Sequence, residues 1–585
     1  MPKMRGAEAM VKALEKEGVK YVFGHPGHGN MNILDAIYDS EQITFKLVRH
    51  ELAAAHVADG YARISGELGV CCSSVGPGAT NMITGIASAF FTSTPLLVIS
   101  GGIISKWTGR GQLQETSRSE TPTDQCYIQA IQPFVKKVWH IHNIERIPEI
   151  IRKACTIARS GRPGPVAIEI PWDMQAESYD FEIPEPSNYS YSNRIRADLE
   201  MTRKTADALL DAKHPLIMTG YGAVLSEAEK EVEELANLLG APVATSFSAK
   251  GILPEDHLLS VGITGWLGHP VAHEMIRQHA DLILVVGFRF SDQSTSWWTE
   301  GLPFVTENRF IQIDIDSQEI GKIYPVEIGL LGDVKSILSE IISILKSRPV
   351  RENKQESLKL VEKVKEGFVL VIPDEPKSPM EPMKVADELR KLLPRDSILA
   401  IDTGNHAHYF ASFYPIYGSR RVLNSFGWTP MGFAPTAIIG AKLANPDRDC
   451  VCVTGDGGFS MVCQEVITAV EWETPIVWIV FNDMNLTAIR EGQKAAYNGR
   501  IIGTEFTQRA SFATLAEAFQ AEGVQVNHYH EIEGAVDHAL KCGKPCVIDM
   551  MIEPDPVPPP LAGAWCEPVR GWLKPLPRGS KEFDV

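Results

Sequence analysis

The sequence has 585 residues, 44% of them hydrophobic, and a formal net charge of -17. This length predicts about three or four domains with ample cores, and dispersed Lys and Arg residues argue against nucleic acid or an anionic membrane as partner. No stretch reaches the roughly 18 uninterrupted apolar residues of a membrane-spanning helix. None of the ten cysteines forms a CxxC pair, so reduced core thiols and a cytoplasmic location are expected.

Strand-like and helical patterns alternate along the chain, beginning with "YVFG", "RHELAAAHVADGYARISG", "LGVCCSSVGPG" and "TPLLVISG". This alternation predicts an α/β fold of doubly wound parallel sheets. Prolines and polar residues over 178–193, and charge runs over 346–359, predict linkers. We therefore expect three domains and a Pro-rich tail with little regular structure. Their predicted bounds are 1–180, 195–345, 375–555 and, for the tail, 556–585.

The loop after "YVFG" reads "HPGHGN" and carries two histidines, His25 and His28. Glycine and proline already supply the turn, so the histidines are not needed to form it. A single loop histidine is most often an exposed polar residue. A functional interpretation therefore needs support from elsewhere in the chain.

The middle of the chain contains "PLIMTGYGAV", "DLILVVGFRFSD" and "RFIQIDIDSQEIGK". These patterns predict a nucleotide-type, doubly wound domain. The spacing in Gly220-Tyr221-Gly222 is only half of a dinucleotide fingerprint. Taken alone, it is weak evidence for FAD or NAD.

The most informative stretch, residues 449–489, predicts a parallel strand pair joined by a helix. "CVCVT" is typical of a buried strand, "FSMVCQEVITAVEWE" of a helix and "PIVWIVF" of the next strand. Parallel neighbours end at the same edge of a sheet, so Asp456 and Asp483 are expected to converge there.

Glycines surround Asp456 at positions 455, 457 and 458, which allows a ligand to approach the backbone closely. The start of the following helix favours an anion. Carboxylates beside an anion indicate a bridging hard cation, so the simplest chemistry is Mg²⁺ or Ca²⁺ holding a diphosphate. Its oxygen ligands would come from Asp456, Asp483 and the chain near Asn485. The alternative is an ordinary Asp-Gly turn at a strand end.

These paired loops resemble the thiamine diphosphate motif, in which GDG is followed by Asn-Asp at the next strand end. Residues 1–555 resemble the family of acetolactate synthases, pyruvate oxidases and 2-oxoacid decarboxylases, and particularly the acetolactate synthase large subunits. The resemblance implies an N-terminal pyrimidine-binding domain, a central nucleotide-type domain and a C-terminal domain that binds diphosphate and Mg²⁺. Most of the family has Asn where Asp483 stands, although some catabolic acetolactate synthases have Asp.

The resemblance also implies roles for individual residues. Glu51 would promote proton exchange at the aminopyrimidine, Gln114 would assist ligation, and His28 would act on the substrate. The Thr429 carbonyl would accept from the 4'-amino group, and Met431 would support the bent cofactor. The remaining implied cofactor positions are Gly76, Asn81, Gly404, Asn405, His406, Gly455, Asp456, Gly457, Gly458, Asp483 and Asn485, with Asp456, Asp483 and Asn485 as metal ligands.

Taken alone, some of these residues have simpler interpretations. Glu51 is typical of a surface helix charge and Met431 of a core methionine. The apolar neighbours of Glu51, "LAAAHVA", weaken the first of these interpretations.

The implied reaction is decarboxylation of a short, pyruvate-like 2-oxo acid, with carboligation to a second carbonyl. Two departures leave the acceptor less defined: Gln293 in "RFSDQ" replaces an arginine, and no Trp follows "NLTAIREGQ". The alternatives are a non-ligating decarboxylase or C–C lyase, a flavin-dependent pyruvate oxidase, or an inactive paralogue. An inactive paralogue could lose Glu51, so its presence favours an enzyme.

The implied cofactors are thiamine diphosphate and Mg²⁺, with FAD or ADP as candidates for the central domain. In this family the glutamate comes from one subunit and the diphosphate site from another. The resemblance therefore implies a homodimer or homotetramer with active sites at the subunit interface. The expected small-molecule partner is a 2-oxo acid; neither nucleic acid nor a membrane is expected.

Overall fold

A computed structural model describes residues 3–115, 126–189, 193–299, 303–349, 353–368 and 378–556, with the single positions 301, 370 and 372. It contains three six-stranded sheets in which every pairing is parallel, so the prediction of doubly wound α/β domains is confirmed. The Pro-rich tail from residue 557 onward lies outside the described residues.

The N-terminal domain holds the first parallel sheet, in the order β3-β2-β4-β5-β7-β6. Its strands are β1 (Lys3–Arg5), β2 (Tyr21–Gly24), β3 (Thr44–Leu47), β4 (Gly69–Ser73), β5 (Leu96–Gly102), β6 (Lys137–His140), β7 (Val166–Pro171) and β8 (Ser178–Asp180). Its helices are α1 (Gly6–Lys16), α2 (Met31–Tyr38), α3 (Glu51–Ser65), α4 (Pro77–Asn81), α5 (Ile83–Thr92), α6 (Cys126–Ile131), α7 (Ile147–Arg159) and α8 (Trp172–Ala176).

Part of the first predicted linker is a strand. The interpretation of 178–193 as a linker is wrong for Ser178–Asp180, which pairs antiparallel with β1. Met4 and Phe181 are buried together beside this ribbon. The pairing with β1 is a tertiary contact, and the alternating pattern of the sequence does not show it.

The central sheet has the order β11-β10-β9-β12-β13-β14. Its strands are β9 (Pro215–Thr219), β10 (Val243–Thr245), β11 (Ser260–Ile263), β12 (Leu282–Val286), β13 (Arg309–Asp314) and β14 (Ile328–Leu331). Its helices are α9 (Leu199–Asp211), α10 (Tyr221–Leu225), α11 (Glu229–Leu239), α12 (Pro270–Glu274), α13 (Val334–Lys346) and α14 (Lys354–Gly367). Helix α14 corrects the second predicted linker: Val361 is fully buried against the central core, so this charged segment is an amphipathic helix.

The C-terminal sheet has the order β16-β15-β17-β18-β20-β19. Its strands are β15 (Ile398–Ile401), β16 (Val422–Leu423), β17 (Cys450–Gly455), β18 (Val477–Asn482), β19 (Glu522–Val526) and β20 (Cys546–Met551). Its helices are α15 (Pro382–Leu392), α16 (His406–Phe413), α17 (Phe433–Ala444), α18 (Asp456–Ser460), α19 (Glu465–Glu471), α20 (Thr487–Ala496), α21 (Phe512–Ala518) and α22 (Tyr529–Lys541).

The predicted helix over 459–473 is in fact two short helices, α18 and α19, separated by a turn. Helix α18 already begins at Asp456, so Gly457 and Gly458 lie inside its first turn rather than before it. The prediction of one continuous helix over 459–473 is therefore wrong. A helix still begins at the glycine loop, with the short α18.

Helices α3 and α17 join the N-terminal and C-terminal domains through a close backbone contact. A Cβ added at Gly60 would lie 2.0 Å from the Ala437 carbonyl oxygen, and one added at Gly440 would lie 2.0 Å from that of Val57. Both helices contribute to one continuous buried cluster. Only glycine allows the two backbones to approach this closely.

Gly440→Ala tests this contact. The added methyl group must push α3 and α17 apart, and overpacking of this kind costs about 1–3 kcal/mol. We expect a lower melting temperature by scanning calorimetry. Gly534→Ala, at an exposed position of α22 where no described atom lies within 4 Å of the added Cβ, is the control and should not lower it. An unchanged melting temperature for Gly440→Ala would contradict the contact.

Candidate cofactor site

The two predicted metal-binding carboxylates converge at the carboxyl edge of the C-terminal sheet. Strands β17 and β18 pair in parallel, so the residues that follow them, Asp456 and Asp483, lie side by side. The Met484 N–H donates to Asp456 Oδ2 at 2.8 Å, and the Asn485 N–H donates to Asp483 Oδ1 at 2.9 Å. These bonds fix both carboxylates relative to the same loop.

Burial changes the pKa values of both carboxylates. Burial, followed by the charge of Asp483, raises the pKa of Asp456 to about 7. Burial likewise raises the pKa of Asp483 to about 6. A divalent cation between the carboxylates would favour their ionised forms, and oxygen donors of this kind suit a hard ion such as Mg²⁺.

A cavity of about 200 Å³ opens beside the pair. The predicted cofactor residues of the C-terminal domain all line it: Gly404, Asn405, His406, Thr429, Met431, Gly455, Asp456, Gly457, Gly458, Asp483 and Asn485. Residues from widely separated parts of the chain thus form one site.

Small residues shape the floor of this cavity. A Cβ at Gly457 would lie 2.6 Å from Leu486 Cδ2 and 3.2 Å from Met431 Cε. A Cβ at Gly458 would lie 2.3 Å from Asp402 Oδ2. The glycines therefore have no room for a side chain, and the backbone itself borders the ligand space.

Asp402 is a buried site residue that sequence reasoning missed. Its carboxylate accepts from the Gly432 N–H at 2.9 Å and the Ala434 N–H at 3.1 Å, which holds the chain just after Met431. Burial raises its pKa to about 6. The signal was its position at the end of strand β15, in "IDTG".

His406 and Thr429 have features suited to ligand binding. Burial lowers the pKa of His406 to about 3, so its ring is neutral, and its Nε2 has no hydrogen-bond partner among the described residues. Thr429 has φ 61°, an uncommon left-handed conformation for a non-glycine residue. Such strain concentrates at functional sites.

A second group of predicted residues lies at the carboxyl edge of the N-terminal sheet. Glu51 is the first residue of α3, and the Asn81 side-chain amide donates to its Oε2 at 3.0 Å. A Cβ at Gly76 would lie 3.0 Å from Gln114 Cβ, so these two loops touch. Gln114 itself has φ 61°.

His28 belongs to the same edge. It is exposed and begins a short 3-10 turn, His28–Asn30. The Gly29 N–H donates to Ser74 Oγ at 3.0 Å, which packs the turn on the loop that leads to Gly76. The neighbouring His25 instead has its Nδ1 3.1 Å from the Pro26 carbonyl oxygen.

The N-terminal group does not line the cofactor cavity in the described part of the chain. Among the described residues, those lining the cofactor cavity all fall between Trp266 and Pro556. His28, Glu51, Gly76, Asn81 and Gln114 are therefore absent from its wall. A site that contains both groups of residues therefore needs the N-terminal group from another copy of the chain.

A larger cavity, of about 290 Å³, lies at the edge of the central sheet. Gly220, Tyr221 and Gly222 line it directly after β9. Arg289 borders it, as does Asp314, whose pKa burial raises to about 6. Gln293, at the family's arginine position, also lines this cavity.

Comparison with known proteins agrees with this architecture. Residues 4–121, 202–341 and 402–550 match the N-terminal, central and C-terminal domains of thiamine pyrophosphate enzymes. The chain is 35% identical to the probable acetolactate synthase large subunit of Methanococcus aeolicus, across 94% of this chain and 92% of that one. It is 34% identical to the acetolactate synthase isozyme 3 large subunit of Escherichia coli, across 92% and 93%.

The chain therefore belongs to the thiamine pyrophosphate enzymes. Within them it is a thiamine diphosphate-dependent carboligase or decarboxylase similar to acetolactate synthase. No helix in the described part of the chain is long and apolar enough to cross a membrane.

Asp456→Ala and Asp483→Asn test the carboxylate pair. Asp456→Ala removes an oxygen ligand and should weaken Mg²⁺-dependent binding of thiamine diphosphate at least about tenfold, equivalent to about 1.4 kcal/mol. Asp483→Asn keeps an oxygen donor and should bind more tightly than Asp456→Ala. Isothermal titration measures both, with EDTA as the metal-free control. Equal binding by Asp456→Ala and wild type would contradict the site.

Proposed function

We propose that this enzyme decarboxylates a short, pyruvate-like 2-oxo acid and ligates the resulting fragment to a second carbonyl, as an acetolactate synthase does. The observation that carries the proposal is the convergence of Asp456 and Asp483 on one glycine-lined cavity. The similarity to acetolactate synthase subunits over nearly the whole chain supports the same reaction class.

In this proposal Asp456, Asp483 and Asn485 would hold Mg²⁺. The cavity backbone at Gly404 and around Gly457 would hold the diphosphate. His406 Nε2 is buried with no hydrogen-bond partner in the described part of the chain, so it is available to a polar ligand atom. Thr429 and Met431, which line the same cavity, would hold the cofactor rings.

Bound thiamine diphosphate supplies a nucleophilic carbon for attack on the 2-oxo group. Glu51 exchanges a proton with the aminopyrimidine, and Asn81 holds its carboxylate by the bond of 3.0 Å. Gln114 positions the acceptor. His28, exposed on the adjacent turn, moves a proton at the substrate.

Product analysis tests the reaction. The protein is incubated with thiamine diphosphate, Mg²⁺ and a panel of 2-oxo acids, with and without aldehydes, and products are identified by NMR. We expect CO₂ release and a 2-hydroxy ketone product. Decarboxylation with only aldehyde as product would favour a simple decarboxylase. If no 2-oxo acid releases CO₂, the proposal is wrong, and cleavage of 2-hydroxyacyl or diketone substrates is the next class to test.

His28→Ala separates a substrate role from a loop role. Removing a general acid or base should lower kcat about 100-fold, while the dissociation constant of thiamine diphosphate stays within about twofold of wild type. His25→Ala, on the same loop, is the matched control and should have little effect on either. Equal losses of activity and cofactor binding in His28→Ala would mean that the histidine only shapes the loop.

We also propose that two copies of the chain form each active site, in a cytoplasmic homodimer or homotetramer. Glu51 and the cofactor cavity are both built within one chain, yet Glu51 is not on the cavity wall. A second copy could bring its N-terminal edge against this cavity. A closed twofold assembly would then contain two equivalent sites.

Subunit mixing tests this assembly. Glu51→Gln and Asp456→Ala should each be inactive, but a mixed dimer would have one site with both native residues. Random reassociation makes half the dimers mixed, so about a quarter of wild-type activity should return. The separate variants, taken through the same reassociation, are the controls. No recovery despite mixed dimers in native mass spectra would contradict a shared site.

The central cavity is proposed to bind FAD or ADP. Gly220 and Gly222 line it directly after β9, the position at which doubly wound folds bind a phosphate group. Arg162, which lies 3.3 Å from Glu319, and Arg289 supply positive charge, while the Asp314 carboxylate suits a ribose hydroxyl.

A further inference from the structure

The central cavity and the cofactor cavity share a wall. Two aromatic side chains, Trp266 and Phe426, line both cavities. We call this pair the aromatic partition. A ligand in either cavity would therefore lie against the same two side chains.

The backbone of Trp266 is held firmly. Its N–H donates to the Gln293 carbonyl oxygen at 2.9 Å. The preceding Gly265 has φ 100°, and a Cβ there would lie 1.9 Å from that same oxygen. The Gly265 N–H donates to Nε2 of buried His273 at 3.2 Å. These contacts hold the turn after β11 that carries the Trp266 indole.

The Trp266 ring packs against two other rings, those of His408 and Trp297. Its centroid lies 5.4 Å from that of His408, in edge contact, and His408 lines the cofactor cavity. On another side it lies 6.5 Å from the half-exposed Trp297. Ser296, Trp297 and Trp298 have consecutive positive φ values of 52°, 63° and 53°. A strained segment therefore packs beside the partition.

Phe426, from the C-terminal domain, also lies between the two cavities. Its ring packs against that of Phe247, which lines the central cavity, with the ring centroids 4.7 Å apart. Asn424 Oδ1 accepts from Ser248 Oγ at 3.0 Å and from the Phe426 N–H at 3.3 Å. The same segment continues to Thr429, so Phe426 and Thr429 both line the cofactor cavity.

We propose that the aromatic partition couples the two cavities: a nucleotide in the central cavity fixes Trp266 and Phe426, and thiamine diphosphate then binds more tightly on their other side. A ligand that orders a shared wall reduces the ordering cost for the second ligand. Coupling of this kind is reciprocal. The inference rests on the cofactor site and the nucleotide site proposed above.

Isothermal titration of the full-length protein tests the coupling, with ADP as the nucleotide probe and Mg²⁺ present throughout. We expect saturating ADP to tighten thiamine diphosphate binding by about fivefold or more, and thiamine diphosphate to tighten ADP binding by the same factor. ADP binding must survive Asp456→Ala, which assigns it to the central cavity rather than the diphosphate site.

Trp266→Ala should reduce the coupling to less than about twofold while both ligands still bind. Trp107→Ala is the matched control, because Trp107 is 43% exposed and lines neither cavity. Phe426→Leu is a second, milder variant in case Trp266→Ala fails to fold, and it should also weaken the coupling.

Three results would overturn the proposal: no ADP binding, equal affinity for thiamine diphosphate with and without bound ADP, or full coupling in both partition variants. Failure of the proposed function is distinguishable, because it would appear as absence of CO₂ release in the product analysis, whereas the coupling is measured by ligand binding alone.

Discussion

The site depends on the burial of Asp456 beside Asp483. The two carboxylates are largely buried at one edge of the sheet, where their charges repel each other. Burial also favours their neutral forms, as the raised pKa values of both groups indicate. A divalent cation would make this unfavourable pair a binding site, because its charge would offset the repulsion between the carboxylates. The glycines, Asp402 and the left-handed Thr429 all arrange backbone and side chains around that point.

A second constraint is geometric. Glycine contacts at Gly60 and Gly440 hold α3 against α17, and the first residue of α3 is Glu51. The packing that joins the two outer domains therefore also fixes where Glu51 lies, away from the cavity of its own chain. In the proposed two-chain site, the same helix would serve both stability within a subunit and assembly of the site between subunits. The central domain contributes the remaining wall through Trp266.

Features governed by local chemistry could be predicted from sequence. The three α/β domains followed from alternating patterns, and the meeting of Asp456 with Asp483 followed from the rule that parallel strands end at one edge. Features governed by tertiary contact could not. Strand β8 depends on pairing with β1, and helix α14 depends on burying Val361. Asp402 follows a predicted strand but its role depends on contacts with Gly432 and Ala434, and Trp266 belongs to no motif.

The central claim is that Glu51 activates thiamine diphosphate bound at the carboxylate pair. The most direct measurement is the rate at which the C2 proton of enzyme-bound thiamine diphosphate exchanges with deuterium, followed by acid quench and NMR. Wild-type protein should exchange it at least about 100-fold faster than Glu51→Gln, the contribution typical of a positioned acid or base, with both proteins saturated with cofactor. Equal exchange rates in the two proteins would contradict the account.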